Sequence, residues 1–493
     1  MPPSLDVLHG PYLPNDYLCY AVHSSSFHSQ SRSSLGATDS YFKKSLSEKH
    51  RQPFKEGECS NNLWCVLAKE PVKLIEKLQS WGFTTLPTFD PNDYGRPMVG
   101  LAEDLNFYVN RLEREATVGK RHGTNWVKEH GFGKSTFLYN VCDFVNRNYF
   151  LKPISEPTMA KYSRILAIYV PFPSKLDEVV RRLLSASAYF PSVRGRPEIG
   201  YKSVLSILAY QILLEANRRN PALDKVSTIE QAREVIEKDP KTKSDAIAAT
   251  ENFLEQHLPF TGKKKKEIKA GIKQLFYPID SAEFENGMQI LRNRLSFESL
   301  ALLLRFARVF LLLVADQVEY LTLPQLKDLI KIATSDDQFG HIHLATVWRA
   351  DWQVWVKPDK IKDYNTLMYR LEDQRLGALS MQDGQELVGS VLDEFRSREA
   401  SLPDRFHPVT EKALKYLLNK SKDPLVHNEV HPRRLLNLVT QILSLAYRRC
   451  DTTITAKLLQ SEAYEQLILR ITETGAVETE AEAEREKKID RLG

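Results

Sequence analysis

The chain has 493 residues, 42% apolar and 27% charged, which is the length of about three domains and the composition of a folded globular protein. These figures exclude a disordered chain, a collagen-like repeat and a bare coiled coil. Its 68 Lys and Arg against 63 Asp and Glu leave a net charge of +5, which permits a polyanionic partner without demanding one.

Cys19, Cys59, Cys65, Cys142 and Cys450 are too few and too scattered for a disulfide framework, and none forms a C-x-x-C pair beside a His pair suited to zinc. A reducing, cytoplasmic compartment is expected. Residues 1–6 lack the basic and apolar regions of a secretory signal, so export is not expected. The longest apolar run, 300–315, contains Arg305 and Arg308 and is too short to span a bilayer, so no membrane contact is expected.

In chain order, residues up to about 53 are rich in Ser, His and Tyr, with one strand pattern at 16–22. A strand is predicted at 63–68, followed by a helix that starts at Pro71, carries Val72, Leu74, Ile75 and Leu78, and ends near Gly82. Together they predict a small α/β or partner-binding region over 1–94. A helix carrying Leu105, Tyr108, Val109 and Leu112 follows. Residues 124–140 read as strand, Gly-rich turn and helix, and 165–170 as a second strand. The stretch 174–306 is almost entirely helix-patterned. Residues 309–315 form a continuous apolar run of the kind a buried parallel strand shows, and 343–347 offer another. From 380 onward the pattern is helical, ending in a Glu-rich tail at 478–493. No repeat period is present.

The segment Glu129-His130-Gly131-Phe132-Gly133-Lys134-Ser135-Thr136 contains the G-x-G-K-S-T core of a phosphate-binding loop, placed between a strand and a helix as that loop requires. Gly131 and Gly133 are expected at positive φ so that backbone N–H groups wrap a β-phosphate. Lys134 would reach the β/γ-phosphates and Ser135 would ligate Mg²⁺. The helix that follows adds its N-terminal dipole. Lys128 stands where the first Gly of the usual pattern falls.

Such a loop predicts a distant apolar strand ending in an acid that holds the magnesium shell. Leu311 to Asp316 supplies it, with Asp316 as the Walker B residue. Gln317 comes next, where a Glu would polarise the attacking water; an amide orients water but cannot take its proton. Glu319 is the nearby carboxylate.

These features resemble the AAA+ ATPases, in the branch of origin-recognition and Cdc-type initiators, transposition-regulator ATPases and signalling STAND ATPases, over roughly 95–450. Val99-Gly100-Leu101-Ala102-Glu103 resembles the segment that opens the nucleotide site, with Leu101 where Arg is frequent. His431-Pro432-Arg433-Arg434-Leu435 is similar to the sensor 2 helix of the lid. The resemblance implies an ATP- and Mg-binding α/β core at 95–378 with a parallel sheet, a helical lid at 379–475 and a charged tail at 476–493. It implies Arg433, with Arg434 as rival, on the γ-phosphate and Thr346 or Arg349 as sensor 1. Arg370, then Arg375, would be the arginine finger supplied across a subunit interface of a homo-oligomer.

Lys134 and Asp316 are 182 residues apart, so a helical insertion over about 190–297 is expected to be the specialised part. It contains Lys263, Lys264, Lys265, Lys266, Lys269 and Lys273, a stripe suited to nucleic-acid phosphates, with only Glu267 as an acid within it. The 44 residues after Arg449 are fewer than a winged-helix domain needs, which disfavours an origin-binding initiator. The expected function is a slowly hydrolysing, oligomerising nucleotide switch on DNA or a DNA-processing complex, of transposition-regulator or mobile-element-defence type. The alternatives are a STAND-type ATPase that binds protein through the N-terminal region or the insertion, and an ATP-binding scaffold without turnover.

Overall fold

The computed structural model describes residues 71–88, 99–119, 122–128, 131–150, 154, 160–171, 204–218, 226, 229–257, 261–276, 281–397, 401–423 and 429–472. Residues 1–71 form one unit of the chain and 72–493 another. The strands expected at 16–22 and 63–68, the helix pattern at 174–203 and the tail lie outside the described residues.

Five strands form one parallel sheet: β1 (Thr124–Lys128), β2 (Arg164–Pro171), β3 (Val309–Asp316), β4 (Ile342–Arg349) and β5 (Glu372–Gln374), in the order β2-β3-β4-β1-β5. The apolar runs make central strands because both faces are covered, and alternate residues go to opposite layers. On β3, Leu311, Leu313 and Ala315 join one core, while Phe310, Leu312 and Val314 join the other. The second of these layers contains α1 (Ala102–Val118) and α2 (Lys134–Val145); Tyr108, Leu112, Phe137 and Val141 are buried there.

The first layer carries the insertion. It comprises α3 (Val204–Ala216), α4 (Ile229–Lys238), α5 (Pro240–His257), α6 (Gly262–Phe276) and α7 (Ser281–Arg294), all helical as the periodicity predicts. Ile207, Leu208, Leu254, Ile268, Ile272 and Leu291 anchor these helices in the same core as β3. The helices Phe297–Phe306, Leu323–Thr334 and Ile361–Met368 complete that layer.

The C-terminal helices α8 (Met381–Glu394), α9 (Glu411–Lys420) and α10 (Pro432–Arg449) build a separate helical core from Val388, Leu392, Leu414, Leu417, Leu438 and Ile442, which Tyr464 joins from the segment that follows. Ser380 and Thr410 cap two of them through side-chain oxygens. Trp81 and Phe83, which the sequence places in the N-terminal region, are fully buried in this same core. The helix Pro71–Ser80 therefore leads into the C-terminal helical unit, with Lys77 Nζ donating to the Ala446 carbonyl at 3.0 Å and Trp81 Nε1 to the Thr452 carbonyl at 3.0 Å.

Candidate nucleotide site

In parallel α/β sheets the ligand crevice lies at the carboxyl ends of the strands. Here that edge carries Lys128, Asp316 and Arg349, the last residues of β1, β3 and β4. Gly131 (φ 83°) and Gly133 (φ 82°) take the left-handed backbone expected of the phosphate loop, and Gly133 is the N-cap of α2. Glu129 and His130 lie outside the described residues. Lys134 is buried at the first position of α2, and its Nζ donates to the Lys128 carbonyl at 2.5 Å. Ser135 and Thr136 follow on the same first turn.

Asp316 is 1% exposed. Burial raises its carboxyl above the usual range, against hydrogen bonds from Tyr169, Ser135 and the Gln317 backbone and the nearby positive charge of Lys134. Tyr169 Oη donates to Oδ2, and the Gln317 N–H to Oδ1 at 2.9 Å. The structure thus brings Lys134, Ser135 and Asp316 together across 182 residues. Ser135 and Asp316 offer the hydroxyl and carboxylate oxygens that a hard cation such as Mg²⁺ prefers, so the donor set fits that ion.

Gln317 sits in the left-handed region (φ 57°, ψ 44°) and opens a 3₁₀ turn over Val318–Tyr320. That reversal returns Glu319 to the strand end. Glu319 is 7% exposed, and its Oε2 has no hydrogen-bond partner. Burial pushes its carboxyl up to about 7; the charge of Asp316 adds to the shift, and Arg349 and Lys134 oppose it.

The two sensor 1 alternatives separate by depth. The Thr346 hydroxyl lies inside the sheet, donating to Asn125 Oδ1 at 2.7 Å and accepting from Trp348 Nε1 at 2.7 Å, three residues short of the strand end. Arg349 is at the end, buried, held by Asp351 (Nε to Oδ1, 3.0 Å) and stacked 4.0 Å from the Trp355 ring centroid.

The C-terminal helix α10 meets the loop directly. The Arg433 N–H donates to the Gly131 carbonyl at 3.4 Å, and a Cβ on Gly131 would lie 3.1 Å from Arg433 Cβ and 2.4 Å from His431 Cε1, so only glycine fits. His431 caps α10 by accepting from the Arg434 N–H and packs on Phe132 with centroids 4.6 Å apart. Arg434 directs Nη1 to the Lys422 carbonyl at 3.1 Å, within the lid. Lys128 fills the place of the missing glycine with a salt bridge to Glu429 at 2.8 Å and a position over the Phe132 ring.

Arg370 is exposed and precedes β5, whose Glu372 is in register with Thr124 at the start of β1. It lies at the opposite end of the sheet from Lys134. Arg375, also exposed, follows β5 at the carboxyl end.

The lysine stripe forms α6, and acids of the preceding helix pair with it. Lys265 and Lys269 both pair with Glu255, Lys273 pairs with Glu251 and Lys263 approaches Glu267. The partners were hidden from sequence because Glu251 and Glu255 belong to the preceding helix. Among the described residues, no helix is long and apolar enough to cross a membrane. Tyr169, Lys128, Glu429 and Asp351 escaped the sequence reading; only the departure at Lys128 left a signal.

No family model and no curated protein matches the chain. Among solved structures it is similar to Cdc6p from Pyrobaculum aerophilum, at 12% identity and a TM-score of 0.36 over 75% of this chain and 69% of that one. It is also similar to the Aeropyrum pernix ORC2 protein (10%, 0.35, 79% and 71%) and to the ORC1 protein of that organism, solved in complex with DNA (11%, 0.33, 74% and 64%).

Proposed function

We propose that the chain is an AAA+-type ATPase that binds MgATP and works as an oligomerising nucleotide switch. One observation carries this reading: a glycine-flanked Lys134 at a helix N-terminus lies beside the Ser135–Asp316 pair at the carboxyl edge of a parallel sheet. Backbone N–H groups and Lys134 suit a triphosphate, and a lid arginine borders the loop. Magnesium held near Ser135 and Asp316 would supply charge neutralisation to the phosphates. Arg370, exposed and remote from its own loop, suits the arginine finger of a neighbouring copy.

The target we favour is DNA or a DNA-processing complex of transposition-regulator or mobile-element-defence type. Support comes from α5 and α6, which carry eight lysines against four acids.

The test is titration of fluorescent ATP with Mg²⁺ into the wild type and Lys134→Ala. Loss of the charged contact is expected to weaken binding by about 3 kcal/mol, roughly two orders of magnitude in Kd. Equal affinities reject the site. Turnover stimulated by duplex DNA supports the proposed target, stimulation only by a protein partner favours the signalling alternative, and binding with no turnover favours the scaffold.

A further inference from the structure

We infer that Glu319, and not residue 317, is the catalytic proton acceptor of this site. The inference deepens the proposed ATPase function and rests on it.

Four observations carry it. Glu319 is buried with one carboxylate oxygen lacking any hydrogen bond, an arrangement that costs folding free energy. Its charged surroundings are Asp316, Lys134 and Arg349, the residues at the phosphate end of the sheet. The left-handed Gln317 reverses the chain after β3, and the 3₁₀ turn Val318–Tyr320 that follows carries Glu319. The residue that conventional spacing would make the base, Gln317, is a neutral amide that cannot take the proton.

In the step this arrangement supports, a water oxygen forms a bond to the γ-phosphorus. The bond from that phosphorus to the β,γ-bridging oxygen breaks, and its electron pair leaves on ADP. The proton of the attacking water passes to Glu319 Oε2 and from there to the released phosphate or to solvent. Arg349, fixed by Asp351 and Trp355, is a positioning residue whose charge opposes the effect of burial on the Glu319 carboxyl.

The experiment compares the full chain with Glu319→Gln and Glu319→Asp, reading fluorescent-ATP affinity and single-turnover hydrolysis on the same preparations. Glu319→Gln is expected to keep nucleotide affinity and lose about 100-fold or more in turnover. Glu319→Asp, which keeps the acid but retracts it, should fall between the two. Wild-type turnover in Glu319→Gln overturns the inference. So does a parallel loss of nucleotide binding in both variants, which marks a folding role. A wild type that binds ATP without hydrolysing it overturns the inference and leaves nucleotide binding standing. A wild type that does not bind ATP overturns both.

Discussion

The two arginines at the head of the lid helix differ in what they touch. Arg433 lies against Gly131 through its backbone and Cβ, whereas Arg434 spends a guanidinium hydrogen bond on Lys422 in the lid. Arg433→Ala is therefore expected to weaken nucleotide binding by about 1.5–3 kcal/mol, the range for a hydrogen bond to a charged group. Arg434→Ala should leave affinity nearly unchanged and lower the thermal midpoint instead. Isothermal titration beside thermal unfolding separates the two, and equal affinity losses would refute the distinction. At this scale Lys134, Ser135 and Asp316 were legible because loop and strand chemistry is written in contiguous residues. Thr346 was not, because only the register with Asn125 shows its hydroxyl to be engaged inside the sheet. Glu319 stood in the sequence as a bare alternative; its burial depends on the left-handed backbone at Gln317, which no pattern announces.

Among elements, β1 and the lid are joined by two contacts. Lys128 and Glu429 form a largely buried salt bridge, and Phe132 packs on His431 just beyond it. A lysine in place of the first loop glycine thus exchanges backbone freedom for a tie to the lid. Partial burial makes such a pair worth more than an exposed one, since solvent screens it less. A double-mutant cycle with Lys128→Ala and Glu429→Ala, read out in ATP affinity, should give a coupling of about 1 kcal/mol. Coupling near zero would mean that lid docking does not reach the phosphate loop. The four long strands, the insertion helices and the helices after 380 were legible from periodicity and apolar runs, whereas Leu323–Thr334 and Ile361–Met368 were not assigned. The fifth strand, Glu372–Gln374, was not: it is three polar residues long and partly exposed at a sheet edge, so it carries no apolar signature.

For the whole molecule, composition cannot reveal that a segment early in the chain completes a core built some 300 residues later. Trp81 does so. Its ring is fully buried, lies 6.4 Å from both Phe83 and Tyr447, and sits beneath the Lys77 ammonium at 5.0 Å. Its indole N–H is satisfied by the Thr452 carbonyl, and Phe83 bridges to Arg396 beside α8. The N-terminal region is expected to end at 94 because the AAA+ resemblance begins near 95, and nothing local in the sequence reports where an indole is buried. Trp81→Ala removes a large buried side chain and leaves a cavity, a change that costs about 3–5 kcal/mol. The C-terminal helical unit should bear that loss. Thermal unfolding is expected to show a lowered midpoint for Trp81→Ala, and a chain beginning at residue 95 should show a comparable loss because it lacks the same plug. Trp81→Phe keeps most of the apolar contact and gives up the hydrogen bond to Thr452, so it should lose about 1 kcal/mol. If Trp81→Ala melts with the wild type, residues 72–88 are peripheral to the helical core and the boundary near 94 is the right one.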